Sequence, residues 1–382
     1  MIKKYDVIIC GGSLAGSAAG ISLARRGHSV AILDRARFPR KKLCGGLLTW
    51  KSVKLLATLF GEDVDSLTKA GVINHASDHY AIRTFSKTLA EGGLPFPFHF
   101  VDRTLFDDLL LTRAYEAGAE VFQETKIVSC DPAGGIVTCE NGDVFQGDHI
   151  IGADGANSVV RGSFPDYDRE RFRELMAPTI EISLDKKDFP KAVEYPELYV
   201  GFIDAGYGWV FPNKDKVIVG ICGLRQENSN TSQLFKLFLD FLQINPEVVS
   251  DLHGHPLPYG NYLEDPVHGV TMLAGDAGGF VEPLFGEGIF FAMCTGMYAG
   301  EAVADGIERE TAPGPIYTKR LHSQIMPELK GSNFMRWALF KAMKWLGPFA
   351  LGWFIRSDTT RLAEMVHGVR SYSWLTRKHW DF

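Results

Sequence analysis

The chain has no C-x-x-C pair and no Cys/His cluster at zinc-ligand spacing; its six cysteines, Cys10, Cys44, Cys130, Cys139, Cys222 and Cys294, are scattered. That argues against a zinc ribbon or a dense disulfide framework and suits reduced thiols in an intracellular protein. Basic charge is also in deficit. Forty Lys and Arg against 46 Asp and Glu leave a formal net charge of −6, whereas a general nucleic-acid binder needs a cationic surface for its phosphate contacts. No stretch is polar enough to read as disordered, and no internal repeat or low-complexity segment occurs. Apolar residues at 46% and charged residues at 23% are the composition of a packed core. The first residues run straight into a strand, so no cleaved leader and a cytoplasmic location are expected.

What the sequence does contain is a sequence of strand–turn–helix units. Tyr5–Cys10 is a short apolar run rich in β-branched residues; Ser17–Arg26 reads as a helix stopped at Gly27; and His28–Leu33 reads as a second strand. Such a unit connects parallel strands with a right-handed crossover. A basic, Pro- and Gly-containing loop is expected over Arg35–Leu48, and alternating strands over Ile73–Phe100. A helix follows at Thr104–Ala117, with Leu105, Phe106, Leu109, Leu110 and Ala114 at helical spacing and Gly118 as its stop. Strands are expected over Val121–Cys139 and Val144–Gly152, with Asn141-Gly142 as a hairpin signal. Pro178–Gly223 is strand-rich and aromatic, and Asn230–Ile244 is helical. Gly269–Ala274 is a last strand before a Gly-rich loop and the small-residue helix Ile289–Asp305; from about Pro315 the tail is helical and aromatic.

Three segments could grip a dinucleotide. Gly11-Gly12-Ser13-Leu14-Ala15-Gly16 follows the first strand and opens a helix, where close backbone approach and the helix N-terminus suit a pyrophosphate. Ser13 stands where the pattern has its middle glycine. Asp34, ending the second strand, is placed for a ribose hydroxyl. The second segment is Ile150–Ser158, whose Asp154-Gly155 would set a carboxylate at the rim of a sheet, followed by Arg161; an ordinary turn is the alternative reading. In the third, Leu273–Gly279 ends a strand in Gly275-Asp276, and Pro283–Gly288 leads into a helix. FAD and NAD both use the first unit, so it does not choose between them.

Together the three segments resemble the geranylgeranyl reductase family of the FAD-dependent hydroxylase-like superfamily, over roughly the first 310 residues. Leu43-Cys-Gly-Gly-Leu47 resembles the family's flavin-passing Cys-Gly segment. Tyr207-Gly-Trp-Val-Phe-Pro212, followed by Val219-Gly220, resembles its Tyr-x-Trp-x-Phe-Pro motif. The resemblance implies a discontinuous Rossmann-type FAD-binding domain (1–72, 101–165, 266–312). An antiparallel-sheet substrate domain (73–100, 166–265) and a C-terminal helical region (313–382) complete it. It implies non-covalent FAD, held by Gly11, Gly12, Ser13, Ala15 and Gly16 at the pyrophosphate turn, by Asp34 at the adenosine ribose and by Arg35. Arg103, Asp154, Gly275 and Gly286 join them, with Ile127 near the adenine, Asp276 at the ribityl chain, the Cys44-Gly45 segment passing the flavin, and Gly288 and Ile289 by the isoalloxazine ring.

The chemistry this implies is reduction of a carbon–carbon double bond in a polyprenyl or other lipophilic substrate, with Cys44, Tyr207 and Trp209 as catalytic candidates. An aromatic monooxygenase or halogenase is the alternative. Phe85, Phe96, Phe98, Phe100, Trp209 and Phe211 are available to line an apolar slot, and His75, His79 and His99 are further acids without a spacing argument. No second nicotinamide fingerprint occurs, so the electron donor is open: NAD(P)H, a reduced carrier or a donor protein. From Tyr317 onward eleven Lys or Arg face four acids, and five of the seven tryptophans lie there (Trp337, Trp345, Trp353, Trp374, Trp380). Contact with a membrane surface is one reading of that tail and a solvated, packed face is the other. Its longest uncharged apolar run, Trp345–Ile355, is eleven residues and contains Pro348, too short to span where about 20 are needed. No metal site is expected.

Overall fold

The computed structural model describes residues 2–347, 359–373 and 376–382, apart from Gln226, Ser229, Pro246, Val248, Ser250 and Asp251. Its strands divide between two sheets. In the first, Ile2–Cys10 pairs in parallel with Val30–Leu33 on one side and Val144–Gly152 on the other. Glu120–Phe122 and Thr271–Leu273 continue the parallel order outward. The centre of this sheet is covered on both faces, which is why Val7–Cys10 and Val30–Leu33 are unbroken apolar runs with every residue buried. One face carries the helices Leu14–Ala24, Arg103–Glu116 and Ile289–Glu308. The other is covered by Ile127–Asp131, Ile136–Cys139 and the short turn of helix at Val159–Gly162.

Two of those helices touch backbone to backbone. A Cβ on Gly296 would overlap the Ala15 carbonyl oxygen, and one on Gly300 would lie 2.7 Å from that of Ala19. The small residues of the last nucleotide-domain helix are therefore a packing requirement.

The second sheet runs His253–Pro258, Met176–Asp185, Lys216–Gly223, Gly206–Pro212, Glu197–Tyr199, Ile73–Arg83, Thr88–Val101, Leu47–Leu48. It is antiparallel except where Glu197–Tyr199 joins Ile73–Arg83. Side chains alternate across it. Ile180, Ile182, Val210, Val219 and Ile221 pack under the helix Thr231–Phe241. The opposite parity, Thr179, Glu181, Tyr207, Trp209 and Phe211, faces the first sheet's loops and lines a cavity there.

Four expectations are corrected. On Arg103–Glu116 the inward face carries Arg103, Phe106, Asp107, Leu110, Leu111 and Ala114, while Leu105 is 41% exposed; an ion pair takes the place expected of an apolar residue. Between Leu48 and Ile73, where no element was expected, Trp50–Leu55, Leu56–Phe60 and Val64–Lys69 are helical. Leu47–Leu48, counted with the loop, pairs with Phe100 and His99 of the second sheet. Phe85 does not reach the slot: it stacks on Phe202 and Phe241 in the second sheet's other core.

The tail forms Pro313–Arg320, Met326–Leu346 and Thr359–Val366. Most of the Trp345–Ile355 run, with Trp353 and Trp374, lies outside the described residues. Among the described residues no helix is long and apolar enough to cross a membrane.

Candidate active site

The glycine turn is built by close approach. Gly11 has φ +107°, and a Cβ there would overlap the Ala153 carbonyl oxygen; one on Gly16 would overlap that of Gly11. Residue 12 is held by the second strand: its N–H donates to Asp34 Oδ2 at 2.7 Å, while Asp34 Oδ1 accepts the Ala36 N–H at 2.8 Å. Ala15 lies under Gly275, whose φ is +56° and whose N–H donates to Thr295 Oγ1 at 2.9 Å. The first and third segments thus meet back to back. Ile127 is buried at the far edge among Ile8, Ala31 and Leu33.

Ser13 leads into a cluster of charge. Its hydroxyl donates to Asp107 Oδ2 at 2.7 Å and accepts from Lys42 Nζ at 3.3 Å. Asp107, fully buried, also takes the Arg103 guanidinium through both oxygens, at 2.7 and 3.0 Å, and Arg40 at 3.3 Å. Burial would raise this carboxyl, but the cations of Arg103, Lys42 and Arg40 prevail and hold it at about 2. Burial likewise works against the Arg103 charge, and Asp107 and the Cys44 sulfur beside it keep it protonated. Lys42 is pushed down by burial and by Arg103, with Asp107 and Asp276 pulling the other way. Three cations thus surround one carboxylate at the mouth of the glycine turn, a surplus that suits a diphosphate. Exposed Arg35 stands outside them.

The second and third segments are joined by Arg161, which donates to the Ala277 carbonyl at 3.3 Å and lies 3.8 Å over the Phe172 ring. Asp154 is engaged locally: Ser158 Oγ and the N–H groups of Val159 and Val160 donate to it, capping the short helix that follows. In the third segment Asp276 faces Gly288, where a Cβ would lie 3.8 Å from Oδ1. Gly288 is the N-cap of Ile289–Glu308 and offers no side chain, so the first N–H groups of a 20-residue helix are left for a ligand at the cavity wall. The loop before it is fixed by Tyr207, whose hydroxyl donates to the Phe285 carbonyl.

Between this loop and the second sheet lies a cavity of about 230 Å³. Cys44–Gly46 forms one wall. A Cβ on Gly45 would come within 2.6 Å of the Phe211 ring, so the Cys-Gly segment can lie on the Trp209–Phe211 surface only as glycine. The Cys44 sulfur accepts the Gly46 N–H at 3.4 Å. Most of the remaining wall is apolar, including Leu43, Ile82, Leu94, Phe98, Leu198 and Leu257, and among the described residues no Lys or Arg lines it. His75, His79 and His99 stand apart from it, as do Phe96 and Phe100.

Three polar wall residues were given no role by the sequence: Glu181 and His255 lie outside its motifs, and Glu287 lies within Pro283–Gly288. Glu181 accepts the Cys44 N–H at 3.2 Å, and burial pushes its carboxyl up to about 7, against smaller opposing effects from Cys44, Trp209 and Arg103. His255 is pushed down by burial and then by Lys42. Glu287 accepts from Thr49 Oγ1 at 2.8 Å and pairs with buried Lys51 at 2.6 Å. Lys51 ties the tail in by donating to the Val366 carbonyl at 3.0 Å, while the Trp50 N–H donates to His367 Nδ1 at 3.1 Å. Leu362, Ala363 and Val366 thereby close the outer end of the cavity. The signal that could have found Glu181 is a carboxylate in the middle of the strand Met176–Asp185, flanked by Ile180 and Ile182, whereas the strand's other acid, Asp185, only ends it.

A doubly covered parallel sheet, a glycine turn ringed by cations and a buried helix N-terminus facing an apolar chamber define a dinucleotide-dependent oxidoreductase. A family model described as FAD binding domain matches residues 4–314. The geranylgeranyl diphosphate reductase of Rhodobacter capsulatus is 31% identical over 311 residues, covering 78% of this chain and 75% of that protein. The chain belongs to the geranylgeranyl reductase family of FAD-dependent oxidoreductases, and FAD is its cofactor. The same fold occurs in a geranylgeranyl bacteriochlorophyll reductase-like protein from Thermoplasma acidophilum (TM-score 0.73, 19% identity, 89% of this chain and 88% of that one). It recurs in a probable FAD-dependent monooxygenase from Pseudomonas aeruginosa (TM-score 0.69, 18% identity, 89% and 96%).

Proposed function

We propose that this flavoprotein reduces carbon–carbon double bonds of an isoprenoid or similarly lipophilic substrate held in the chamber between Cys44–Gly46 and Trp209. The observation that carries the reading is the wall itself: apolar, walled by Trp209 and Phe211, and without a Lys or Arg among the described residues to pair with an aromatic acid. The name of the Rhodobacter relative, a reductase of geranylgeranyl diphosphate, points the same way.

FAD, once reduced, supplies a hydride equivalent to an alkene carbon. The chain's own residues do the rest. Lys42 and Arg103 would hold the diphosphate, Asp34 a ribose hydroxyl and Asp276 the ribityl chain. The helix N-terminus at Gly288 and Ile289 would offer its N–H groups to the electron-rich part of the flavin. Tyr207 keeps the Phe285–Gly288 loop in place, Trp209 and Gly45 shape the slot, and the tail at Leu362–Val366 keeps water out. The FAD is non-covalent. A lipid surface is the source of substrate in this reading, reached by the exposed Phe334, Trp337 and Trp345 of the tail helix.

The test is anaerobic incubation of photoreduced protein with polyprenyl lipids and, separately, with aromatic acids, following flavin reoxidation. Reoxidation by the lipids without oxygen is expected; product that forms only with oxygen would favour the monooxygenase or halogenase reading.

A further inference from the structure

An alkene gains a proton as well as a hydride when it is reduced, and the chamber wall contains few groups able to give one. Tyr207 already donates its proton to the Phe285 carbonyl, and burial pushes its hydroxyl well up. The Cys44 sulfur is occupied as an acceptor, with the Gly46 N–H and the Arg103 guanidinium against it. Cys222 is pushed up to about 12 by burial. His255 is driven towards its neutral form by burial and by the Lys42 charge. Glu287 is paired with Lys51 and Thr49.

Glu181 differs from all of these. It is 6% exposed, it lines the chamber, and it projects from the sheet face that also carries Trp209. Its Oε1 is fixed by the Cys44 N–H, whereas Oε2 has no hydrogen-bond partner and the neighbouring Trp209 Nε1 has none either. Trp209 is close enough to draw the carboxyl's pKa down, yet the two do not reach hydrogen-bonding geometry. A buried carboxylate left this way would be costly, and the neutral acid is the form such surroundings favour.

We propose that Glu181 is the acid of the chamber, giving its carboxyl proton to the alkene carbon adjacent to the one that receives the hydride. The proposal rests on the alkene-reduction reading above. In the step, the carbon–carbon π bond, the Glu181 O–H bond and the bond holding the hydride to the reduced cofactor break, and two C–H bonds form. The two electrons come from the reduced cofactor, which ends oxidised, and Glu181 ends as a carboxylate that regains its proton from water. The carboxyl's value of about 7 suits an acid that must both hold and release a proton near neutrality. Arg103, Cys44 and Trp209 are the groups that face it and set that balance.

Two measurements on FAD-loaded protein test this. The first needs no turnover: infrared difference spectra across a pH titration should show a protonated-carboxyl band that fades with a midpoint near 7 and is missing from Glu181→Gln. Glu282, also pushed to about 7 by burial but committed to the N–H groups of Leu284 and Phe285, is the control through Glu282→Gln. The second is anaerobic reoxidation of photoreduced protein by a polyprenyl alkene. Wild type should slow as pH rises through about 7, and Glu181→Gln, with FAD still bound by its visible spectrum, should be slower by roughly 10²–10⁴-fold with that pH dependence gone. A Glu181→Gln protein that keeps the band, or the wild-type rate and profile, overturns the proposal. Failure of wild type to be reoxidised by any alkene overturns the alkene reading instead, and the infrared band then decides on its own whether Glu181 holds a proton.

Discussion

Trp209 and Gly220 are cross-strand partners in the second sheet, and the indole lies where a side chain on residue 220 would be: a Cβ there would overlap Trp209 Cζ2. The glycine that follows the Tyr-x-Trp-x-Phe-Pro motif on the next strand is thus the floor under its tryptophan. Gly220→Ala should push the indole towards Gly45 and Glu181 and destabilise the protein by about 1–3 kcal/mol through overpacking. Gly92→Ala, in the same sheet but with open space at its Cβ, should leave stability nearly unchanged. Urea unfolding of the two variants, with indole fluorescence as the probe, checks the contrast; equal midpoints would remove the argument.

Asp276 faces Gly288 at the N-terminus of the long buried helix. Removing an ionised acceptor costs about 1.5–3 kcal/mol of a hydrogen bond made to it, so Asp276→Ala should weaken FAD roughly ten- to a hundred-fold. Titration of apoprotein with FAD reads this directly. Unchanged affinity in a folded variant would mean that the ribityl chain lies elsewhere.

Asp107 gives the protein an acid-labile element. Its folded value of about 2 is depressed from the ordinary Asp range, so its stabilisation is fully present above about pH 4 and is lost as pH falls towards 2. Asp107→Asn leaves Arg103 without its carboxylate in a buried site and should cost about 3–5 kcal/mol at neutral pH. That gap should narrow between about pH 4 and 2 in denaturant titrations. A gap of constant size would show that the charge of Asp107 is not what matters.

These two groups also mark the limit of what the sequence discloses. The glycine turn, Asp34 and the Gly275-Asp276 loop are legible because each is a contiguous pattern whose backbone demands are local. Asp107 is not: a carboxylate within a helix reads as solvated until Arg103, one turn earlier, is seen to share its buried face. Glu181 is hidden for a related reason. Strand alternation puts Thr179 and Glu181 on one face and Ile180 and Ile182 on the other, but only the position of the Cys-Gly segment decides which face holds the chamber. Phe98 and Phe211, both on strands of the second sheet, reach the cavity, whereas Phe85 sits in the turn between Ile73–Arg83 and Thr88–Val101 and stacks in the other core. The Lys51–Glu287–Val366 link joins residues far apart in the chain, and no local pattern could announce it.

The tail's electrostatics are more restrained than its composition. Lys330 pairs with Glu264, Arg370 with Glu364 and Lys378 with Glu328, and Arg336 donates to the Tyr259 carbonyl. Trp380 packs on Phe290 of the nucleotide domain. What faces outward is Phe334 at 67%, Trp337 at 57% and Trp345 at 79% exposure, with Lys341 over the Trp337 ring. Sedimentation with anionic liposomes should therefore show binding that weakens with salt and weakens further in Trp337→Ser/Trp345→Ser. No sedimentation at low salt would end the surface-contact reading.

The chamber is stitched from the whole length of the chain, from Leu43 to Val366. Ribosomal synthesis releases those walls in order, and the loop at Gly286–Ile289 emerges well before Leu362, Ala363 and Val366. At about 5–20 residues per second the intervening stretch takes roughly 4–15 s to appear. During that interval the apolar slot still lacks its cover. A newly made molecule thus passes through a stage at which the chamber is open to water, and the helix Thr359–Val366, the last among the described residues, is the one that ends it.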